Sequence, residues 1–280
     1  MRGVFQLLMI VDDAAIARYV ADHGVARLFV DLEHLGKAER QGHLDSWKSQ
    51  QTPADISRIR NAAPEAHLLV RVNPLHEGSR SEIDDVVARG ADSIMLPMFR
   101  GRDDVARFID WLDGRAEALP LVETASALAA VPEIVRTLPL TALHIGLNDL
   151  HLDLGMDFMF EPLAKGMLEE PCAALREAGC TFGIGGVARA GEGLVGPELI
   201  LGEHVRLGST ATILSRGFHR GAVDLPSLLA ESFEDEVGKL QELYLRFSTA
   251  TVDELERNRL ETARAIEAVA GRVRAQRGFP

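Results

Sequence analysis

The chain has 280 residues, of which 46% are hydrophobic and 26% are charged, a composition typical of a soluble globular protein. Acidic residues outnumber basic residues by 42 to 30, and the resulting net charge of −12 disfavours binding to nucleic acid or to an anionic membrane surface. No apolar run approaches the roughly 18 residues of a membrane span. Residues 4–11 are followed by Asp12 and Asp13 rather than by the cleavage site of a signal peptide. We therefore expect a cytoplasmic protein without nucleic-acid or membrane partners.

Eight short apolar runs rich in β-branched residues follow one another and predict strands. They occupy residues 4–11, 28–30, 68–72, 94–98, 119–122, 143–147, 181–187 and 205–213. Their starts are separated by 24, 40, 26, 25, 24, 38 and 24 residues, so most intervals match one strand plus one helix. Because the runs are apolar throughout rather than alternating, they indicate parallel strands buried on both faces. Eight such units predict a (β/α)8 TIM barrel, with a doubly wound open sheet as the alternative.

Two of the intervals are longer than the others, and they correspond to the loops after strands two and six. These loops cover residues 31–53 and 148–165. In a barrel the catalytic residues lie on the loops that follow the strands, so the extra length favours functional residues there. A tolerated surface insertion is the alternative, because long loops cost little stability.

The C-terminal segment predicts two helices, although a barrel needs only one helix after its last strand. The second helix begins at Thr251 and Glu254, which are spaced as a capping box. Its apolar side must be covered by the barrel or by another subunit, and we favour another subunit and hence a homo-oligomer. The predicted organisation is a catalytic barrel over residues 1–220 and C-terminal helices over 221–280.

Polar side chains follow four of the eight predicted strands. They are Asp31, Glu33 and His34 after strand two, Arg71 and Asn73 after strand three, Glu123 and Thr124 after strand five, and Asn148 and Asp149 after strand six. A carboxylate at the end of an apolar strand is costly to bury unless it is paired or bound to a cation. Because the carboxyl ends of the strands meet at one rim of a barrel, these side chains predict a site.

Glu123 and Asp149 lie 26 residues apart, which is one β/α unit, so we expect them on adjacent strands. Two carboxylate ligands with room for water suit Mg²⁺ or Mn²⁺ and leave positions for a bidentate substrate. The alternative is structural, with one carboxylate paired to Arg71 and the other capping a loop or helix.

Arg71 and His34 are the other candidates for chemistry at this rim. The guanidinium group of Arg71 suits a substrate carboxylate or a developing enolate oxygen, with a structural salt bridge as the alternative. His34 follows Asp31 and Glu33, which could fix its tautomer and raise its basicity. It is therefore a candidate general base, with a solvated loop histidine as the alternative.

Taken together, these motifs resemble the HpcH/HpaI aldolase and citrate lyase beta-subunit family over roughly residues 4–218. The motifs are Asp31-Leu32-Glu33-His34, Arg71-Val72-Asn73, Gly90-Ala91-Asp92-Ser93-Ile94-Met95-Leu96-Pro97-Met98, Leu121-Val122-Glu123-Thr124, and Ile145-Gly146-Leu147-Asn148-Asp149-Leu150 followed by Leu154-Gly155. Each motif is weak alone, but five in this order at the predicted strand ends are a fairly specific signal.

The resemblance implies a (β/α)8 barrel whose C-terminal helix is often exchanged between subunits. It also implies a divalent-metal-dependent lyase that makes or breaks carbon–carbon bonds next to a carbonyl. By that analogy Glu123 and Asp149 look like ligands of Mg²⁺ or Mn²⁺, Arg71 like the group that stabilises the enolate, and His34 with Asp31 like the acid/base pair of pyruvate aldolases. The residues expected to contact substrate are Asn73, Pro97, Thr124, Asn148, Gly185 and Gly186.

The expected reaction is cleavage or formation of a 2-oxo acid aldol adduct through a pyruvate-type enolate, with a 2-oxo acid and an aldehyde as the small-molecule partners. Gly146-Leu147-Asn148 departs from the Gly-Pro of the aldolase branch, and the long second loop is nearer the citrate-lyase branch. His34 and the glycines of 183–188 look more like the aldolase branch. A lyase acting on a 3-hydroxyacyl-CoA is therefore the alternative, and a catalytically silent barrel or a phosphoenolpyruvate-dependent phosphoryl-transfer enzyme are weaker ones.

Gly183, Gly185 and Ala188, with Glu203 twenty residues after Gly183, superficially fit a dinucleotide-binding fingerprint. That fingerprint requires a helix directly after the last small residue. Several glycines and Pro197 crowd this region and disfavour such a helix. We therefore reject a dinucleotide site.

Overall fold

The computed structural model describes residues 5–36 and 50–277. Eight parallel strands close into a barrel in chain order, and β1 pairs with β8. The strands are β1 (Gln6–Ile10), β2 (Val25–Asp31), β3 (Leu68–Arg71), β4 (Ser93–Leu96), β5 (Glu117–Val122), β6 (Ala142–Ile145), β7 (Thr181–Val187) and β8 (Ala211–Leu214). The predicted (β/α)8 barrel is confirmed, and the open-sheet alternative is excluded.

Helices follow the strands and cover the outside of the barrel. They are α1 (Ala14–Asp22), α2 (Pro53–Ala62), α3 (Ser79–Ala88), α4 (Arg102–Leu112), α5 (Ala125–Thr137), α6 (Leu147–Asp153), α7 (Glu161–Ala164), α8 (Glu169–Glu177), α9 (Pro197–Leu207), a 3₁₀ turn (Arg216–His219), α10 (Leu225–Ala230), α11 (Phe233–Ser248) and α12 (Val252–Arg277). The helix after β7 begins only at Pro197, in agreement with the rejection of a dinucleotide fingerprint.

The predicted strand over 205–213 is wrong in its first half. Val205 and Leu207 form the last turn of α9, and Gly208 ends that helix in the left-handed conformation at φ 86°. The strand itself begins at Ala211. Apolar residues of a buried helix end and of the following strand form one continuous run in the sequence, so periodicity alone did not separate them.

The two long loops differ in how far the structure describes them. The loop after β6 is largely helical, because it contains α6 and α7 and starts at Leu147, which had been assigned to the strand. For the loop over residues 31–53, positions 37–49 lie outside the described residues, and only its two ends can be placed.

The barrel wall separates two apolar cores. The larger core lies between the sheet and the surrounding helices. The smaller one fills the barrel interior and consists of Leu8, Phe29, Leu69, Met95, Leu119, Leu121 and Ala142. Alternate residues of each strand point to opposite faces, so both faces of the wall are buried and the strands read as continuous apolar runs. The inner core fills the lumen below the carboxyl ends of the strands.

Helix α12 packs on its own barrel. Its N-terminus carries the predicted capping box, in which Thr251 N–H donates to Glu254 (2.7 Å). The buried residues of the helix include Ile266, Val269 and Ala270, and Asn258 Nδ2 donates to the Leu199 carbonyl of α9 (2.9 Å). The barrel therefore covers the apolar side of this helix, while an additional contact with another subunit stays a prediction.

The far end of α12 reaches the loop after β6. Arg274 Nε donates to Asp157 Oδ2 (2.7 Å), and Arg277 Nη1 lies 3.4 Å from Asp157 Oδ1. Both arginines are exposed, so these ion pairs contribute little to the free energy of folding. They show, however, that the end of α12 lies next to the loop after β6. None of the helices within 5–36 and 50–277 combines the length and hydropathy that crossing a bilayer requires.

The packing of α12 on α9 can be tested at Gly202. A Cβ atom there would overlap the side-chain amide of Asn258. In an exposed helix Gly→Ala stabilises by about 1 kcal/mol, but here we expect Gly202→Ala to lower the free energy of unfolding by about 1–3 kcal/mol through overpacking. In an Asn258→Ala background the same substitution should no longer destabilise. Urea unfolding of the four proteins checks this, and a more stable Gly202→Ala single variant would contradict it.

A buried histidine makes the stability depend on pH. His144 of β6 is buried, and its Nε2 donates to the Gly185 carbonyl (3.1 Å). Burial lowers the pKa of His144 from 6.5 to about 4. The unfolded chain therefore binds a proton between pH 6.5 and about pH 4 that the folded chain does not, and stability falls as the pH drops through this range.

We expect His144→Gln, whose amide N–H can still donate to Gly185, to lose part of this pH dependence, by at most about 1.4 kcal/mol per pH unit. Urea unfolding at pH 7, 6 and 5 measures the slope in both proteins. An undiminished slope in the variant would assign the effect to other groups.

Candidate active site

The alternation of side chains along the strands directs three charged residues inward. Phe29 and Leu69 belong to the inner core, so Asp31 and Arg71, two residues further along their strands, point the same way. Asp31 and Arg71 are also register partners in the β2–β3 pair. Glu123 follows β5 by the same rule, two residues after Leu121 of the inner core. The charged groups thus lie above the apolar plug, at the carboxyl ends of the strands.

Arg71 is the centre of this cluster. Its Nε and Nη2 atoms donate to the two carboxylate oxygens of Asp31, each at 2.9 Å. Its Nε also lies 3.4 Å from Glu33 Oε2, and its Nη1 lies 3.9 Å from Glu123 Oε1. Burial lowers the pKa of the guanidinium group, but the negative charges of Asp31, Glu33 and Glu123 outweigh that effect and raise the pKa above its ordinary value. Arg71 is therefore a permanent cation fixed in orientation by a bidentate bond.

The two predicted metal ligands follow neighbouring strands. Glu123 comes directly after β5 and is buried, and Asp149 is buried in the first turn of α6, which follows β6. A Cβ atom at Gly146 would lie 2.9 Å from Glu123 Cγ and 3.1 Å from its Oε1. The backbone before α6 can approach the Glu123 side chain this closely only because residue 146 is a glycine.

These two carboxylates fit a small divalent cation in the chemistry of their donors. Oxygen ligands are those that Mg²⁺ prefers, and Mg²⁺ in proteins usually keeps several positions for water or substrate. Among residues 5–36 and 50–277 there is no group of three or more His, Cys, Asp or Glu side chains placed so that they could hold a metal ion together. With two protein ligands, the remaining positions would be filled by water or by oxygen atoms of a substrate.

His34 lies at the exposed edge of the cluster, on the segment after β2. Its ring Nε2 contacts the Gln51 carbonyl at 3.1 Å, and its backbone N–H donates to Asn73 Oδ1 at 2.9 Å. Asp31, which was expected to fix the histidine tautomer, is instead held by Arg71 and accepts the Glu33 N–H at 3.2 Å. The group that orients the ring is thus a backbone carbonyl.

Two of the predicted substrate contacts have structural hydrogen bonds. Asn73 Oδ1 accepts the N–H groups of His34 and Leu35, both at 2.9 Å, while its Nδ2 donates to Glu82 (2.7 Å). Thr124 is fully buried and caps α5, where its Oγ1 accepts the Ala127 N–H at 3.1 Å. The structure gives both side chains a role in shaping loops, and their contact with substrate stays a prediction.

The other four predicted contacts lie at the ends of β4, β6 and β7. Pro97 is buried and precedes Met98, which has a φ of 54°. Asn148 is exposed on the first turn of α6. Gly185 has a φ of 49°, and a Cβ atom at Gly186 would lie 3.2 Å from the Ile213 carbonyl oxygen. Their positions agree with a site at this end of the barrel.

Glu33, which the sequence analysis placed beside His34, instead lies with its carboxylate 3.4 Å from Arg71. Two features of the site escaped the sequence analysis. Gln51 contacts residues 20 and 40 positions away, which no local pattern signals. Gly146 was noted only as part of a motif, because its close approach to Glu123 depends on how two strands meet.

A cavity of about 730 Å³ opens beside Asp31. Its apolar wall includes Met9, Val11 and Ile16, and its rim is formed by Gln51 and by the loop after β8. The volume lies in the range of small-molecule sites, and it is far larger than a three-carbon acid requires. Asp31 belongs to both the cavity and the charged cluster, so the two are contiguous.

The close approach at Gly146 yields a test of the predicted metal site. Gly146→Ala introduces a Cβ atom 2.9 Å from Glu123 Cγ and must displace that carboxylate. We expect the affinity for Mg²⁺ to fall about 10- to 100-fold, the usual effect of disturbing the orientation of a ligand. Gly101→Ala is the matched control, since its Cβ would meet nothing within 4 Å. Isothermal titration with Mg²⁺ measures both, and equal affinities for Gly146→Ala and the control would contradict the assignment.

Comparisons with known proteins identify the family of the chain. The family model for HpcH/HpaI aldolase/citrate lyase matches residues 7–160, more than half of the chain. An HpcH/HpaI aldolase/citrate lyase family protein from Burkholderia cenocepacia J2315 is 16% identical with a TM-score of 0.61, and the match covers 86% of this chain and 95% of that one. An HpcH/HpaI aldolase from Desulfitobacterium hafniense DCB-2 is 17% identical with a TM-score of 0.56, covering 85% and 93%.

Protein CitE from Mycobacterium tuberculosis, solved in complex with magnesium and pyruvate, is 16% identical with a TM-score of 0.59, covering 94% of this chain and 98% of that one. At these identities the likeness to solved structures shows the fold alone. A search of the curated proteins finds no match. Because the family model matches more than half of the chain, the chain belongs to the HpcH/HpaI aldolase/citrate lyase family.

Proposed function

We propose that this protein is a divalent-metal-dependent lyase that cleaves or forms a carbon–carbon bond next to the carbonyl of a 2-oxo acid such as pyruvate, through an enolate. The observation that carries the proposal is the bidentate pair of Arg71 with Asp31, which fixes a largely buried cation with its Nη1 3.9 Å from Glu123 Oε1. An oriented cation in a site closed from below by an apolar plug is suited to stabilise negative charge that develops on a substrate oxygen.

Glu123 and Asp149 would hold the metal ion, which we take to be Mg²⁺ or Mn²⁺. When bound, such an ion supplies Lewis-acid polarisation of a keto oxygen and so acidifies the neighbouring carbon. The close approach of Gly146 to Glu123 and the oxygen donors of both side chains support this assignment. A protein with the same fold, CitE from Mycobacterium tuberculosis, was solved in complex with magnesium and pyruvate.

Arg71 would bind the 2-oxo acid through the part of its guanidinium group that Asp31 does not occupy. Nε and Nη2 donate to Asp31, so the edge that carries Nη1, on the side of Glu123, is directed away from this pair. A substrate oxygen at that edge would lie between the cation and the predicted metal ligand. The charge of Arg71 persists at all working pH values, because its acidic neighbours raise the guanidinium pKa.

His34 would move the proton to or from the hydroxyl group of the aldol adduct. It is exposed at the mouth of the site, and its ring is oriented by Gln51 and its backbone by Asn73. A histidine with one ring nitrogen engaged by a carbonyl keeps the other nitrogen as an acceptor, which is the form a general base needs.

The cavity beside Asp31 would receive the second reactant. Of the charged groups in its described lining, Arg58 pairs with Asp55 and Arg220 pairs with Glu192. Each of these guanidinium groups already has a carboxylate partner, which would compete with a phosphate for it. This favours an aldehyde over the 3-hydroxyacyl-CoA of the alternative reaction, which tight binding of coenzyme A would support instead.

Exchange of the pyruvate methyl protons in heavy water tests the proposal without knowledge of the aldehyde. We expect the methyl signal in proton NMR to decay when Mg²⁺ is added to metal-stripped protein, because enolisation lets solvent deuterium replace the protons. Glu123→Gln and Asp149→Asn should slow the exchange by about 100-fold or more.

Asp110→Asn, which changes an exposed carboxylate of α4, is the control and should exchange as fast as the unaltered protein. Exchange that is equally fast in the presence of a chelator, or in both ligand variants, would refute the metal assignment. If Mg²⁺ binds and pyruvate does not exchange, pyruvate is the wrong nucleophile.

A further inference from the structure

Gln51 links the carboxyl ends of two neighbouring strands beneath the mouth of the candidate site. It is 5% exposed. Its side-chain Oε1 accepts the N–H of Asp31 at 2.7 Å, and its Nε2 donates to the carbonyl of Val11 at 2.8 Å. Val11 directly follows β1, and Asp31 ends β2. One amide side chain thus satisfies a donor of one strand end and an acceptor of the other.

Only an amide of this length can make both bonds. A carboxylate in the same place accepts from the Asp31 N–H but cannot donate to the Val11 carbonyl, and two oxygen atoms would face each other there. An apolar side chain of the same shape leaves both backbone groups buried without these partners, at a cost of about 1–3 kcal/mol each. The two hydrogen bonds of the Gln51 side chain therefore hold the Gln51 backbone in place.

The backbone carbonyl of Gln51 is in turn the partner of His34. A carbonyl oxygen can only accept, so the contact of 3.1 Å requires a proton on His34 Nε2. In the neutral ring the lone pair then lies on Nδ1. On the backbone side, the N–H of His34 is held by Asn73 Oδ1 at 2.9 Å, so the residue is fixed at two points.

We propose that Gln51 is a positioning residue that selects the Nε2-protonated tautomer of His34 and makes Nδ1 the basic atom of the site. Its side chain anchors its backbone to β1 and β2, and its carbonyl fixes the ring. Asp31 is then not needed to orient the histidine, and its carboxylate remains hydrogen-bonded to Arg71. The catalytic consequence rests on the proposed function, whereas the tautomer does not.

Nitrogen-15 NMR of histidine-labelled protein tests the tautomer directly, in the full chain and without substrate. At alkaline pH, where the ring is neutral, His34 should show a protonated Nε2 and an unprotonated Nδ1, with His34→Gln used to assign its signals. Gln51→Met should shift the signals towards a mixture of the two tautomers. Gln6→Met changes an exposed glutamine at the start of β1, at the opposite end of the barrel, and is the matched control, with signals expected to match the unaltered protein.

Kinetics supply the second readout. For cleavage of a pyruvate-derived aldol we expect Gln51→Met and Gln51→Glu to lower kcat about 10-fold or more while KM changes less than about threefold, because the ring is misoriented whereas Arg71, Glu123 and Asp149 are untouched. Gln6→Met should change neither constant.

A His34 ring protonated on Nδ1 in the unaltered protein overturns the proposal, whether or not any variant folds. An unchanged tautomer in a folded Gln51→Met protein overturns it as well. Failure of the proposed function has a different signature, since pyruvate would then not exchange although the Nε2-protonated tautomer is observed.

Discussion

The bidentate ion pair between Arg71 and Asp31 is the interaction on which the rest of the site depends. Asp31 is fully buried and the Arg71 side chain is only 12% exposed, and a charge withdrawn from water is tolerated only when a partner and hydrogen bonds compensate for its desolvation. Loss of one partner from such a pair typically costs about 3–5 kcal/mol. The pair also positions the residues that follow β2, because the Asp31 oxygen that accepts from Arg71 Nε also accepts the Glu33 N–H. The end of β2, which leads directly to His34, is thereby fixed.

This arrangement follows from the simplest property of a strand, the alternation of its side chains between two faces. The inward residues of the strands form an apolar plug in the lower part of the barrel. One step further along the same strands, the inward residues are Asp31, Arg71 and Glu123. The barrel therefore changes from a hydrophobic core to a charged site within a single residue pair, about 7 Å along each strand. The plug confines the reactants to one end of the barrel and keeps the charged groups in surroundings of low polarity.

Much of this could be predicted from the sequence, because burial on both faces leaves continuous apolar runs whose spacing identifies β/α units. The same runs ended in the charged residues that meet at the rim. The prediction failed where one apolar run spans two elements, as at Val205, where burial in a helix end and in a strand looks alike. It also could not assign partners. Asp31 was paired with His34 because they are close in sequence, whereas the barrel brings Asp31 next to Arg71, 40 residues away.

Asn73, Thr124 and Gln51 also show that the sequence does not reveal which groups a polar side chain contacts. Their residue types suggest polar contacts, but only the fold reveals that these contacts are with backbone groups of other loops. A polar residue at a strand end serves either the substrate or the loop that surrounds it. The choice depends on distances between segments far apart in the chain, and the composition of a motif carries no information about them.

The contact of Arg274 with Asp157 has a practical consequence for handling the protein. Asp157 lies on the loop after β6, which also carries Asp149, so the last turns of α12 lie at the carboxyl end of the barrel, where the candidate site opens. A bulky label attached at Arg274 would therefore lie at this end of the barrel rather than at a remote surface. The opposite end of the barrel, where the strands begin, is the region in which attachment to a support or a label would leave the entrance clear.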